Sequence, residues 1–239
     1  MYGFKAWLVF IISGGFIGCG VIRDTPKYSF SNGYYHSKVF EQKSSKVYVE
    51  NTTDSIYVYS VARGPKLSLS DSVKAGKNSY PQQVSGESIN QHNFRQTSFD
   101  IDFLTIPFKY RPVSNSLPAQ FNTNLNGAVY IGFRNDIYRL WYKKTPLNNY
   151  IRQTTHYGFS VGLFSGFGGT AMNPWVTDDQ ISSEYDGLVW LKGIAGILGV
   201  NNFTIGLALG WDNLLDKNNK VWIYQSKPWL GLAFGLNLN

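Results

Sequence analysis

The chain has a single cysteine, Cys19, among its 239 residues. That excludes an internal disulfide and any zinc or iron–sulfur site needing several cysteines. Charge is also scarce: charged residues make up 15% of the chain and aromatics 16%, the reverse of a disordered composition. The 22 Lys and Arg exceed the 15 Asp and Glu, giving a formal charge of +7. Residues such as Arg63, Lys66, Lys74 and Lys77 are scattered instead of concentrated along one element, so no nucleic-acid face is expected. The three histidines, His36, His92 and His156, have no metal-ligand spacing, and no metal or cofactor is expected. No apolar run after residue 22 is long enough for a spanning helix. Ala, Glu, Lys and Leu do not dominate, and 24 glycines would be costly in helices, which excludes a long coiled coil.

What is present begins with an address. Residues 1–19 read MYGFKAWLVFIISGGFIGC, with basic Lys5, an apolar run from Ala6 to Ile17, and small residues around the cysteine. This predicts a signal peptide over 1–18. The string Phe16-Ile17-Gly18-Cys19 resembles a bacterial lipobox, apart from an aromatic residue three before the cysteine. The resemblance implies lipidation of Cys19, which would become the first residue of the mature chain. A signal peptide cleaved elsewhere and an uncleaved anchor are the competing readings, but Ser13-Gly14-Gly15 interrupts the run.

Three zones follow. Residues 19–62 are predicted to be a lipid-anchored N-terminal segment. It contains a β-hairpin, because Val47-Tyr48-Val49 and Ile56-Tyr57-Val58-Tyr59 flank the turn residues Asn51-Thr52-Thr53-Asp54. Residues 63–97 are polar, punctuated by Gly and Pro, and read as a linker or long loop. Residues 98–239 alternate with period two. Odd positions in 121–134 are Phe121, Thr123, Leu125, Gly127, Val129, Ile131 and Phe133, while even positions are polar or small. The pattern returns over 156–163, 203–212 and 230–239. No helix produces such alternation. Two further spans are less regular. Residues 100–111 contain Pro107, which belongs at an edge, bulge or strand end. Residues 188–200 are apolar throughout except Lys192, leaving their faces unassigned, and they join the following strand through Asn201-Asn202.

In a soluble sheet the polar face would carry Lys and Glu, whereas here it is largely Gly, Ala, Ser and Asn. The pattern suits an inverted barrel, with large apolar residues toward lipid and small or polar ones in a narrow lumen. Trp141, Tyr142, Trp175, Tyr185, Trp211, Trp222, Tyr224 and Trp229 are then expected to form interfacial girdles. The predicted fold is all-β: an antiparallel up-and-down transmembrane β-barrel of about eight strands over 98–239. Six spans are clear, and residues 137–144, 221–225 or the 47–59 hairpin are candidates for the other two.

The segments FNTNLNGAVYIGFR, THYGFSVGLFSGFGGTAMNPW, FTIGLALGWDNLLD and WIYQSKPWLGLAFGLNLN resemble uncharacterised outer-membrane barrel proteins of the Bacteroidetes kind. The resemblance covers residues 99–239 and implies the outer membrane of a Gram-negative bacterium, but brings no catalytic residues. The expected function is a lipid-anchored outer-membrane barrel with a non-catalytic structural, interaction or narrow transport role. Its partners would be outer-membrane lipid and an envelope protein. The alternatives are a periplasmic lipocalin-like barrel holding an apolar ligand and, third, a lipid-modifying enzyme. For that enzyme, His156 and Ser160 share a strand face, with Asp212 or Asp186 as the orienting acid. Asp178, Asp179 and Glu184 form the densest acidic segment but match no calcium loop. Gly166, Gly168 and Gly169 lack the helix and Lys of a phosphate cradle.

Overall fold

A computed structural model describes residues 28–61, 76–85, 90–113 and 118–236. Cys19 and the predicted signal peptide lie outside the described residues. Twelve strands follow in order: β1 (Gly33–Ser37), β2 (Ser45–Asn51), β3 (Ser55–Ser60), β4 (Lys77–Pro81), β5 (Gln83–Ser85), β6 (His92–Arg111), β7 (Gln120–Asn122), β8 (Asn126–Lys144), β9 (Asn149–Met172), β10 (Tyr185–Val200), β11 (Phe203–Leu214) and β12 (Pro228–Leu236). They form one antiparallel sheet, with no α-helix among the described residues. Among the described residues no helix is long and apolar enough to cross a membrane, which says nothing about crossing with strands.

Local chemistry sets the turns. Asn201 takes a left-handed φ of 50° in the two-residue connection between Val200 and Phe203, which pair across the hairpin. Between β8 and β9, Pro146 suits the turn that Asn148 completes at φ 58°. Thr52 caps the β2–β3 turn, where its hydroxyl accepts from the Ser55 N–H.

Two circuits of pairing share β6, β8 and β9. The first runs β6–β8–β9–β10–β11–β12, and β12 pairs back onto β6 through Leu230↔Tyr110, making a ring over part of the strands' lengths. Its six strands contain the six spans legible in the alternation. Neither of the expected sources adds a strand to the ring. Residues 137–144 continue β8, residues 221–225 form turns, and the 47–59 hairpin joins the second circuit. The expected strand start at residue 121 is also corrected: residues 120–122 form β7 on β6, and β8 begins at Asn126.

The second circuit leaves the lower part of β6 through β1, β2, β3 and β4. It returns by β5, one residue beyond β4, to the start of β9. Strands thus occupy residues 77–81, 83–85 and 92–97 of the segment expected to be linker. Pro107 lies in a bulge: the β12–β6 register shifts between Leu232↔Phe108 and Phe234↔Thr105. An N–H is dispensable where the ladder is already interrupted.

Interior side chains stack in layers along the shared strands. In the second circuit Phe30, Tyr35, Val47, Val49, Ile56, Val58, Phe94 and Tyr138 make an ordinary apolar core. The ring interior is slimmer, with Ala128, Ala195, Ala208 and Ala233 beside Leu104, Ile106, Leu191 and Trp229. Glycine permits close strand approach there: a Cβ on Gly162 would lie 2.2 Å from the Ile131 carbonyl oxygen and 2.5 Å from Gly132 Cα. Met172, Val189, Leu214, Trp222 and Tyr224 cap the far end.

The outer face reverses character along the same three strands. Around the second circuit, Asn93, Arg95, Arg139, Lys143 and Gln153 face outward. Around the ring, Phe99, Phe103, Val129, Ile131, Phe133, Phe159, Val161 and Leu163 are exposed. In β11 Leu207 is 58% exposed and Ala208 0%, and across the pair Ala233 is buried. In β10 the unassigned faces resolve, with Leu188, Trp190, Lys192, Ile194, Leu198 and Val200 outward and Val189, Leu191, Ala195 and Ile197 inward.

Candidate functional site

Two polar layers lie in the interior. The first sits where the outer face reverses, between the apolar core and the ring's small-residue interior. On β8 the inward positions run Tyr138, Asp136, Arg134, Gly132, Tyr130, and on β9 they run His156, Gly158, Ser160. Antiparallel pairing sets Tyr138 opposite His156, Asp136 opposite Gly158, and Arg134 opposite Ser160. Asp100 and Asp102 are buried on β6, opposite Gly132 and Tyr130.

Asp136 is the hub of this layer. Its Oδ1 accepts from Arg134 Nε at 2.7 Å and from His156 Nε2 at 2.6 Å, so the imidazole carries a proton on Nε2. All three side chains are almost wholly buried. Gly158 leaves room for the contact, since a Cβ there would lie 2.6 Å from Arg134 Nη2.

His156 and Ser160 both point inward, as their shared face requires, but the interior does not join them as base and nucleophile. Ser160 Oγ is bonded to Tyr130 Oη at 2.7 Å, and His156 Nε2 is bonded to Asp136. Neither carboxylate proposed from sequence supports the histidine. Asp186 is exposed at the start of β10, and Asp212 belongs to the second layer. The acid that does contact His156 was legible by parity, because Asp136 continues the even-numbered face that ends the 121–134 alternation at Arg134. Asp178, Asp179 and Glu184 are exposed, and no group of three His, Cys, Asp or Glu among the described residues is arranged to hold a metal.

The second layer lies at the far end of the ring. Asp212 accepts from Lys109 Nζ at 2.9 and 3.0 Å, from Arg111 Nη2 at 2.5 Å and from Trp229 Nε1 at 2.8 Å. All four residues are buried. Lys109 Nζ is also 4.6 Å from the Trp229 ring centroid, and the Arg111 guanidinium lies 5.1 and 5.0 Å from the rings of Trp222 and Tyr224. The girdle expectation is corrected here: Trp222, Tyr224 and Trp229 are interior residues. Trp229 occupies the space beside Gly210, where a Cβ would lie 2.3 Å from its ring. Tyr142 is interior to the second circuit, whereas Trp175 is exposed.

Comparison with protein-family models, curated proteins and solved structures gives no match. Among the described residues, packed side chains fill the interior in two polar layers and three apolar clusters.

Proposed function

We propose that the ring is a small transmembrane β-barrel of the bacterial outer membrane, anchored additionally by a lipid on Cys19. The sheet of the second circuit forms a lobe in water. The role is non-catalytic: the barrel holds the lobe at the membrane surface, where it meets an envelope protein partner.

One observation carries this reading: β6, β8 and β9 each change from polar-outside to apolar-outside part-way along their length. A sheet wholly in water has no use for a continuous apolar outer band, and an exposed patch of this extent marks contact with lipid or protein. On β9 the band covers residues 157–167, in line with about 9–11 residues for a tilted membrane strand. Lys192 faces outward in the band, 4.3 Å from the Trp190 ring with Trp211 opposite in the pairing. This basic–aromatic grouping suits an interface, toward which a long side chain extends its charge.

β1 runs antiparallel to β6 with Ser37↔Phe94 and His36↔Arg95, so Gly33 is its ring-side end. The described chain therefore enters beside the boundary where the outer face reverses. Closure of the wall satisfies the backbone in lipid, where open edges are too costly. Six strands give a lumen that side chains fill, which favours an anchor over a transporter. The lipocalin-like alternative requires the large apolar residues inside, opposite to their observed facing.

The test is labelling of single cysteines at Leu207, Ala208, Leu232 and Ala233, in a Cys19→Ala background reconstituted in vesicles, with a bilayer-restricted reagent. Reaction at Leu207 and Leu232 but not at Ala208 and Ala233 is expected. Protection of both leucines in the folded protein refutes the reading.

A further inference from the structure

We infer that the far end of the ring is a binding site for a phosphate-type anion, reached through a seam in the wall between β7 and β9. The observation behind this is a concentration of buried donors with nothing to donate to. Arg111 is 1% exposed, and only its Nη2 is bonded, to Asp212. Its Nε and Nη1, together with Trp222 Nε1 and Tyr224 Oη, are buried without a hydrogen-bond partner. A buried donor left unpaired forfeits its hydrogen bonds to water with nothing in return. Four of them on three adjacent side chains argue for a bound acceptor.

Charge points the same way. Lys109 and Arg111 are two buried cations, and among the described residues Asp212 is the one carboxylate bonded to them. The cluster therefore retains an unmatched positive charge facing those free donors. The Nε–H and Nη1 N–H groups point along different edges of the guanidinium, so each is free to give an anion oxygen its own charge-assisted hydrogen bond. The Trp222 and Tyr224 rings, 6.2 Å apart and edge to face, both pack against the guanidinium and contribute their own polar atoms.

Access follows from the strand ends. β8 stops at Asn126, opposite Gly168, and above it β7 takes over the edge of β6. Among the described residues, the β9 segment beyond Gly168 pairs with β10 and with no strand on its β7 side. A cavity of about 510 Å³ occupies this seam, lined by Gln120, Asn122, Thr170 and Asn173 and bounded inward by Trp222 and Tyr224. The two rings that flank Arg111 therefore also face the seam. The site stands on these contacts whatever surrounds the ring. Its anion could arrive free in solution or as the headgroup of a lipid at the wall.

The experiment uses the full chain purified in a neutral maltoside detergent without phosphate. Inorganic phosphate is titrated by calorimetry at fixed ionic strength, and retention of phosphatidylglycerol is read by native mass spectrometry. Tyr224→Phe removes only an unpartnered hydroxyl and keeps the ring, so it should fold at least as well as the parent, whereas Trp222→Phe removes Nε1 together with part of the buried indole and is scored only if its gel mobility is that of the folded protein. Arg111→Gln removes the charge and is scored only if its gel mobility is that of the folded protein.

Saturable binding of one inorganic phosphate per chain, weakened at least about tenfold in Tyr224→Phe or Trp222→Phe, supports a site for the free anion. Retention of one phosphatidylglycerol, lost in those variants and without inorganic phosphate binding, supports a headgroup site. Absence of both, or unchanged binding in both ring variants, overturns the inference.

Discussion

An arginine scan along the outward face of β9 tests the reversal of the outer surface on a single strand. Outward positions include Gln153, Thr155, Tyr157, Phe159, Val161, Leu163, Ser165 and Phe167, and the strand passes from the lobe into the apolar band without a break. With about 3.3 Å of rise per residue and a tilt near 45°, each residue descends about 2.3 Å, so the band from Tyr157 to Phe167 spans about 23 Å. This matches the roughly 25 Å apolar height of outer-membrane barrels. Leu163 is 65% exposed near the middle of that span. Arginine there should cost about 2–4 kcal/mol, falling to about 0–1 kcal/mol at Tyr157 or Phe167. At Gln153, in the water-facing stretch, the change should stay within about 0.5 kcal/mol. The assay is urea titration of the protein refolded into lipid vesicles, followed by tryptophan fluorescence and heat-sensitive gel mobility. A flat profile below about 1 kcal/mol across the strand, or equal refolding without lipid, refutes the membrane assignment.

Cys19 should be the diacylated first residue of the mature protein, and an unmodified or absent Cys19 in the intact mass would refute lipidation. Asp136→Ala leaves Arg134 and His156 buried without their shared carboxylate, so unfolding in detergent should lose about 3–5 kcal/mol; a loss under about 1 kcal/mol would refute the hub assignment. His156→Ala and Ser160→Ala should leave membrane lipid composition unchanged by mass spectrometry, because neither side chain activates the other. In the lobe, burial pushes the Tyr80 phenol up to about 12. The folded state therefore holds this proton after the unfolded chain has lost it near pH 10. Stability contributed by Tyr80 is whole below pH 10 and falls between about pH 10 and 12, and Tyr80→Phe should flatten that decline in denaturation midpoints.

Four of the ring strands were legible because each turns a different residue class to each side, and side-chain period alone carries that information. The count of eight came from the usual size of membrane barrels, not from residues, and the six spans, four regular and two less so, were the better guide. Residues 188–200 resisted assignment because both faces are apolar: Val189, Leu191 and Ile197 differ little from Leu188, Ile194 and Leu198 in hydropathy. Only pairing with β9 and β11 separates them. β4 and β5 have no period of their own and exist because β3 and β9 offer them edges. Of the candidate site, His156 and Ser160 were visible as one face, but their partners lie on another strand. Trp229 was misplaced because its small neighbours Gly210 and Gly231 were read as lumen lining without asking what fills the space they leave.

The sharing of β6, β8 and β9 also bears on the order in which the molecule assembles. The lobe's circuit needs nothing beyond the first part of β9, so it can form before β10, β11 or β12 takes part. The ring, by contrast, waits for the last strand to find β6 across most of the sequence, and such distant contacts form slowly. An early-folded lobe would therefore already hold the first three ring strands in register, as apolar extensions of its own wall. It serves as a template on which the remaining hairpin and the closing strand add, and a lesion in the lobe, such as one at Phe94 or Tyr138, would surface as failed completion of the ring.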